Sequence, residues 1–155
     1  MIKSKQVGTL VLVAACGALL QSCAVDSGKA FHQHPDDCPG ANPGIIPINI
    51  NYERNPINVT GPRHTVYEGD VLRFNLVGAD NKRVSTFGKN AEAGWLNGSG
   101  KKKPGKANSD RFYICVPTDL FEGEPDTVTK KDFGYNVDAE GRDRLDPVVP
   151  VRRLN

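Results

Sequence analysis

Apolar and polar residues alternate along most of this chain, and the alternation has a period of two from Ile45 onward. Ile46, Ile48, Ile50 and Tyr52 fall on one face of a first predicted strand, with Asn49 and Asn51 on the other; such a pattern marks a strand with one face buried. Pro47 interrupts it, and because proline cannot donate to a ladder, this strand is expected at a sheet edge. Short strands are expected over residues 55–60 and 63–68, divided by Gly61-Pro62, and Glu68-Gly69-Asp70 turns the chain into a strand over 71–77. There Leu72, Phe74 and Leu76 face inward, and Arg73 and Asn75 face out. After a turn at 78–82 comes a strand over 83–87, then a long loop over 88–110 rich in Gly, Lys and Asn. Alternation resumes over 111–116 with Phe112, Ile114 and Val116 inward and Cys115 opposite, and Pro117 ends it. An acidic loop over 119–126, in which Leu120-Phe121 adds at most one helical turn, precedes a strand holding Phe133, Tyr135 and Val137. A turn at 139–142 and a strand over 148–151 complete the pattern. Roughly seven or eight short strands with no amphipathic helix predict an all-β sandwich over residues 45–153.

The beginning of the chain has a different texture. Residues 1–6 are basic and residues 7–20 are apolar or small, about fourteen residues, which suits a secretory signal and falls short of the roughly 20 needed to span a bilayer. The stretch Leu20-Gln21-Ser22-Cys23 then resembles the lipobox of bacterial lipoprotein precursors. The resemblance implies a signal peptide over 1–22, cleavage before Cys23, a diacylglycerol on the Cys23 thiol and an acyl chain on its freed amine. Several acyl chains hold at a membrane where one only visits, since each buried methylene contributes about 0.8 kcal/mol. An ordinary secretory signal in which Cys23 is incidental is the plain alternative. A rival box, Val13-Ala14-Ala15-Cys16, leaves a shorter apolar run.

Cysteine and charge counts change under that reading. Of the four cysteines, cleavage before Cys23 removes Cys16 and commits Cys23 to lipid, leaving Cys38 and Cys115 as an even pair expected to be disulfide-bonded in an oxidising compartment. Cleavage before Cys16 would instead strand an odd thiol. The formal charge of +2 comes from Lys3 and Lys5, so the processed chain has 18 basic against 18 acidic side chains. A formally neutral processed chain of about 130 residues argues against a nucleic-acid partner and for one core.

Residues 23–44 read as a lipidated, flexible tether rich in Asp, Gly, Pro and His. It holds the one cluster of metal-ligand types, His32, His34, Asp36 and Asp37, in which two imidazoles and two carboxylates could take a borderline divalent ion. The spacing matches no structural zinc pattern.

Within the domain, Tyr67-Glu68-Gly69-Asp70-Val71-Leu72-Arg73-Phe74 and Phe112-Tyr113-Ile114-Cys115-Val116-Pro117 resemble the Gly-Asp strand and the later cysteine-bearing strand of cupredoxin-like, Greek-key domains. Tyr135-Asn136-Val137 with Leu145-Asp146-Pro147-Val148-Val149 is similar to the closing hairpin of small copper-free periplasmic proteins of that fold. A blue-copper site needs two imidazoles, a thiolate and usually a thioether. Residues 116–126 hold neither His nor Met, residues 80–84 hold no His, and Met1 is the only methionine. The resemblance therefore implies the fold without the copper, and no cofactor is expected.

No Gly-x-Ser-x-Gly elbow occurs, and His64 is the only histidine of the domain, so no hydrolytic triad is expected and the chain reads as a non-enzyme. Trp95 and the basic run Lys101, Lys102 and Lys103 are candidate contacts for a partner or for anionic lipid. Together these readings predict an outer-membrane lipoprotein facing the periplasm, held by its lipid, whose β-sandwich binds another envelope component. The alternative is a periplasmic metal-handling lipoprotein using His32, His34, Asp36 and Asp37. The outer-membrane placement rests on the resemblance, because Ala24 and not Asp follows Cys23.

Overall fold

The computed structural model describes residues 35–39, 43–106 and 110–154. Among the described residues nine strands run in chain order: β1 (Ile45–Asn51), β2 (Asn58–Thr60), β3 (Val66–Tyr67), β4 (Val71–Val77), β5 (Arg83–Gly88), β6 (Gly98–Lys101), β7 (Arg111–Cys115), β8 (Lys130–Ala139) and β9 (Val148–Arg152). The helical content among the described residues is two single 3-10 turns, Pro35–Asp37 and Gly94–Leu96. The chain is all-β and sandwich-like, as the alternation predicts.

Two mixed sheets form, one ordered β2-β1-β4-β7 and the other β3-β9-β8-β5-β6. Residues 52–70 leave β1, pair back on it as β2, cross to the other sheet as β3 and return as β4. That excursion allows β1 and β4 to lie parallel from Ile45↔Val71 to Asn51↔Val77, since parallel neighbours need a crossover. Ile46, Ile48 and Ile50 of β1 meet Leu72, Phe74 and Leu76 of β4 in register, and all six are buried. From the facing sheet come Val84, Phe133, Tyr135, Val137, Val149 and Val151. At the centre the Phe74 and Phe112 rings stack at 4.9 Å with planes 6° apart, and Tyr135 meets Phe74 edge-on at 6.0 Å across the sandwich. Burial pushes the Tyr135 phenol well above its usual range, so it stays neutral.

Cys38 and Cys115 form the expected disulfide, with 5.4 Å between their Cα atoms. It ties the turn at Pro35–Asp37 to β7. Cys115 stands opposite Val71 in register. Val71 is fully buried although it shares the outer face of its sheet with Arg73 and Asn75, and both it and Cys38 lie outside the main core cluster.

Four details differ from the sequence-based expectation. β6 lies within the expected 88–110 loop, pairing with β5 from Arg83↔Lys101 to Thr86↔Gly98. Its inward residues are glycines: a Cβ at Gly100 would stand 2.9 Å from the Phe112 ring and 3.2 Å from Leu76. The core at this point is filled by the neighbours' rings, so the strand carries no apolar signature. Pro47 does not mark a sheet edge by strand order, because β1 is flanked by β2 and β4. It nonetheless escapes the missing-donor problem, since β2 reaches only Asn49, Ile50 and Asn51. The strand expected over 55–60 starts only at Asn58, and that over 63–68 shrinks to Val66–Tyr67, which leaves His64 in an exposed bend.

Side chains fasten the loops. Asp70 accepts from the N–H groups of Tyr67 (2.8 Å) and Gly44 (3.1 Å), setting the turn into β4. Arg153 gathers the 119–126 loop by donating to the carbonyls of Phe121 and Glu124, each at 3.0 Å, with its guanidinium over the Phe121 ring. The buried Thr86 hydroxyl donates to the Leu96 carbonyl at 2.7 Å, which holds the second 3-10 turn on β5.

Candidate functional site

Outward residues of three adjacent strands converge at one end of the five-stranded sheet. The pleat sends Arg83, Ser85 and Phe87 of β5, Ser99 and Lys101 of β6, and Asp138 of β8 to the same outer face. Register then aligns them in rows, with Ser85 flanked by Ser99 and Asp138, and Arg83 beside Lys101. Residues 139–144 curl over this end and close one side of an open groove of about 520 Å³, lined by Arg83, Ser85, Asp138, Ala139, Glu140, Arg142 and Arg144.

The turn that forms this wall is rigidly held. Gly141 occupies the left-handed region at φ 77°, where other residues are strained. The Tyr52 hydroxyl donates to the Glu140 carbonyl. Arg142 stacks 4.7 Å over the Tyr52 ring and donates to the Tyr52 carbonyl at 3.2 Å, locking the turn to the chain that leaves β1.

Both carboxylates of the groove are neutralised from within. Arg144 clamps Asp138 with two bonds of 2.6 and 3.0 Å, and that hydrogen bonding raises the guanidinium further above its usual range. Glu140 accepts from Lys82 at 3.1 Å and from the Arg83 N–H; the lysine first and then the amide hold its carboxyl below the usual range. The Arg83 guanidinium forms no ion pair among the described residues. Among the lining residues the cations Arg83, Arg142 and Arg144 therefore exceed the anions Asp138 and Glu140 by one, with exposed Lys101 beside Arg83 and exposed Asp143 in the turn.

The residues singled out from the sequence are distributed differently. Cys23, His32 and His34 lie outside the described residues. Asp36 is exposed and shares the first 3-10 turn with Asp37. Among the described residues no three His, Cys, Asp or Glu side chains gather as a metal site. Trp95 gives its ring to the interior, meeting Phe133 edge-on at 5.4 Å, while Leu96 beside it is fully buried. Trp95 is half-buried, one side of its ring packed against the core beside the second 3-10 turn. The basic run also divides: Lys101 is exposed on the groove face, Lys102 pairs with Asp80 at 2.7 Å, and Lys103 is exposed beyond the strand.

The groove itself was not among the sequence candidates. Its members come from two stretches some fifty residues apart, and only strand register joins them. The one available signal was the row of polar outward positions Arg83, Ser85 and Asp138, which alternation alone assigns to solvent.

No family model matches the chain, and no curated relative matches it. Among solved structures, the N-terminal domain of phage TP901-1 ORF48 aligns at 8% identity over 72% of this chain and 99% of that one, with a TM-score of 0.31. A likeness of that size carries no argument about fold or function. Among the described residues no helix is long and apolar enough to cross a membrane.

Proposed function

We propose that this chain is a cell-envelope lipoprotein, anchored in the outer membrane by acyl chains on Cys23, that presents a copper-free, cupredoxin-like β-sandwich to the periplasm as a non-catalytic binding module. The observation that carries this reading is the Cys38–Cys115 disulfide. Such bonds form and persist in oxidising compartments, which agrees with an export signal ahead of Cys23. The fourteen residues from Ala24 to Asp37 between the acylated cysteine and the disulfide give a tether of at most about 50 Å, enough to hold the domain clear of the headgroups.

The cupredoxin-like part of the proposal is supported by neighbours within the sheets. The strand that follows Gly69-Asp70 and the strand that bears Cys115 lie side by side, with Phe74 opposite Phe112, and β8 and β9 pair as a closing antiparallel hairpin. A binding role in place of catalysis is supported by the groove's chemistry. A general base needs a carboxylate free to take a proton, whereas Asp138 is clamped by Arg144 and Glu140 is held by Lys82.

Envelope fractionation tests the proposal. The full chain expressed in a diderm bacterium is expected in the outer-membrane fraction, and the Cys23→Ala variant in the soluble periplasm. Recovery of the wild type in the cytosol, or of the variant still in the membrane, contradicts it.

A further inference from the structure

We infer that the groove between β5, β8 and the 139–144 turn binds an acidic saccharide, one whose rings carry carboxylate or phosphate groups. The inference rests on the reading of the domain as an extracytoplasmic binding module and names the ligand class of that module.

Three independent features of the face point to this chemistry. The first is positive charge: with Asp138 and Glu140 already satisfied by Arg144 and Lys82, the Arg83 guanidinium is left to meet an external anion, and exposed Lys101 lies beside it in register. A guanidinium offers paired donors that match the two oxygens of a carboxylate or phosphate. The second is a set of short polar groups, Ser85 and Ser99 in register and the outer lone pairs of Asp138, which suit the dense hydroxyls of a sugar ring. The third is Phe87, which is 45% exposed and lies on β5 one pleat beyond Ser85, on the same face. A strand repeat of about 7 Å separates the two positions. Arg83 lies a second repeat on, about 13 Å from Phe87, so an aromatic face there can cover the apolar C–H face of one pyranose while an acidic group on the adjoining part of the ligand reaches along the strand to the long Arg83 side chain. The open shape fits a ligand that lies along the sheet, and the rigid wall at Tyr52 and Arg142 means the groove need not be ordered on binding.

Calorimetry on the purified full-length protein tests this with two acidic probes and their neutral counterparts: tetragalacturonate against maltotetraose, and glucose 6-phosphate against glucose. At least one acidic probe is expected to bind about tenfold more tightly than its neutral counterpart, weakening as salt is raised. An Arg83→Ala, Lys101→Ala double variant is expected to lose about tenfold in affinity, and Phe87→Ala to weaken both acidic and neutral sugars, with melting temperatures unchanged because all three side chains are exposed. Equal affinities for acidic and neutral sugars, no binding of either acidic probe, or a double variant that binds as the wild type does would overturn the inference. So would binding to phosphatidylglycerol vesicles as tight as to the acidic sugars, which would assign the charge to a lipid surface. Because the titration is read in solution, an unacylated protein that binds the acidic probe sinks only the envelope reading, and an acylated one that does not sinks only the groove.

Discussion

Replacing Cys38 and Cys115 together with serine is expected to lower the free energy of unfolding by about 4 kcal/mol, and the melting temperature by roughly 15 °C. The bond joins residues 77 apart, so it removes a large share of the unfolded chain's freedom. Its native-state consequence is local. Without it, nothing covalent holds the turn at Pro35–Asp37 against β7, and Val71, buried on an otherwise polar face opposite Cys115, is the residue most exposed to the loss. Guanidinium unfolding measures the change, and reducing the wild type should reproduce it without any substitution. A loss below about 1 kcal/mol in both experiments would mean that the sandwich is indifferent to the clip.

Phe112→Ala is expected to cost about 4 kcal/mol, in the range for deleting a fully buried aromatic ring. Phe112 stacks on Phe74, and the same ring floors the glycine strand β6. The dependence on glycine gives the sharper test. Gly100→Ala alone should destabilise by about 2 kcal/mol, because its new Cβ would press on Phe112 and Leu76 at 2.9 and 3.2 Å. In the Phe112→Ala background the same methyl keeps only its 3.2 Å approach to Leu76 and should cost less than half as much. A double-mutant cycle from chemical denaturation reads the coupling, and additive effects would refute the packing described for β6.

How much of this was legible beforehand depended on whether burial alternates in one strand or is shared between strands. The isoleucines of β1, the Leu72-Phe74-Leu76 series of β4 and the Phe112-Ile114 pair of β7 announce themselves, because each inward position is large and each outward one polar. β6 does not, since Gly98 and Gly100 face the core with no side chain and borrow their cover from Phe112. Trp95 was legible only as an aromatic in a Gly-rich stretch; its edge-on contact with Phe133 depends on the 3-10 turn at Gly94–Leu96, which no local pattern encodes. Of the run Lys101, Lys102 and Lys103, the place of Lys101 on a strand face and the ion pair of Lys102 with Asp80 come from the pairing of β6 and could not be read from the run itself. The groove was hidden altogether. Arg83 and Asp138 are brought to one face by the antiparallel register of β5 and β8, a long-range pairing that no local periodicity encodes. The clamp that neutralises Asp138 comes from Arg144, six residues on, where a hairpin turn alone would be read.

Intact mass spectrometry of the protein purified from envelopes tests the central claim most directly. The account predicts a chain beginning at Cys23, heavier by a diacylglycerol and an N-linked acyl group, and lighter by the two hydrogens lost in joining Cys38 to Cys115. An unacylated chain that retains residues 1–22 and carries free thiols would contradict it.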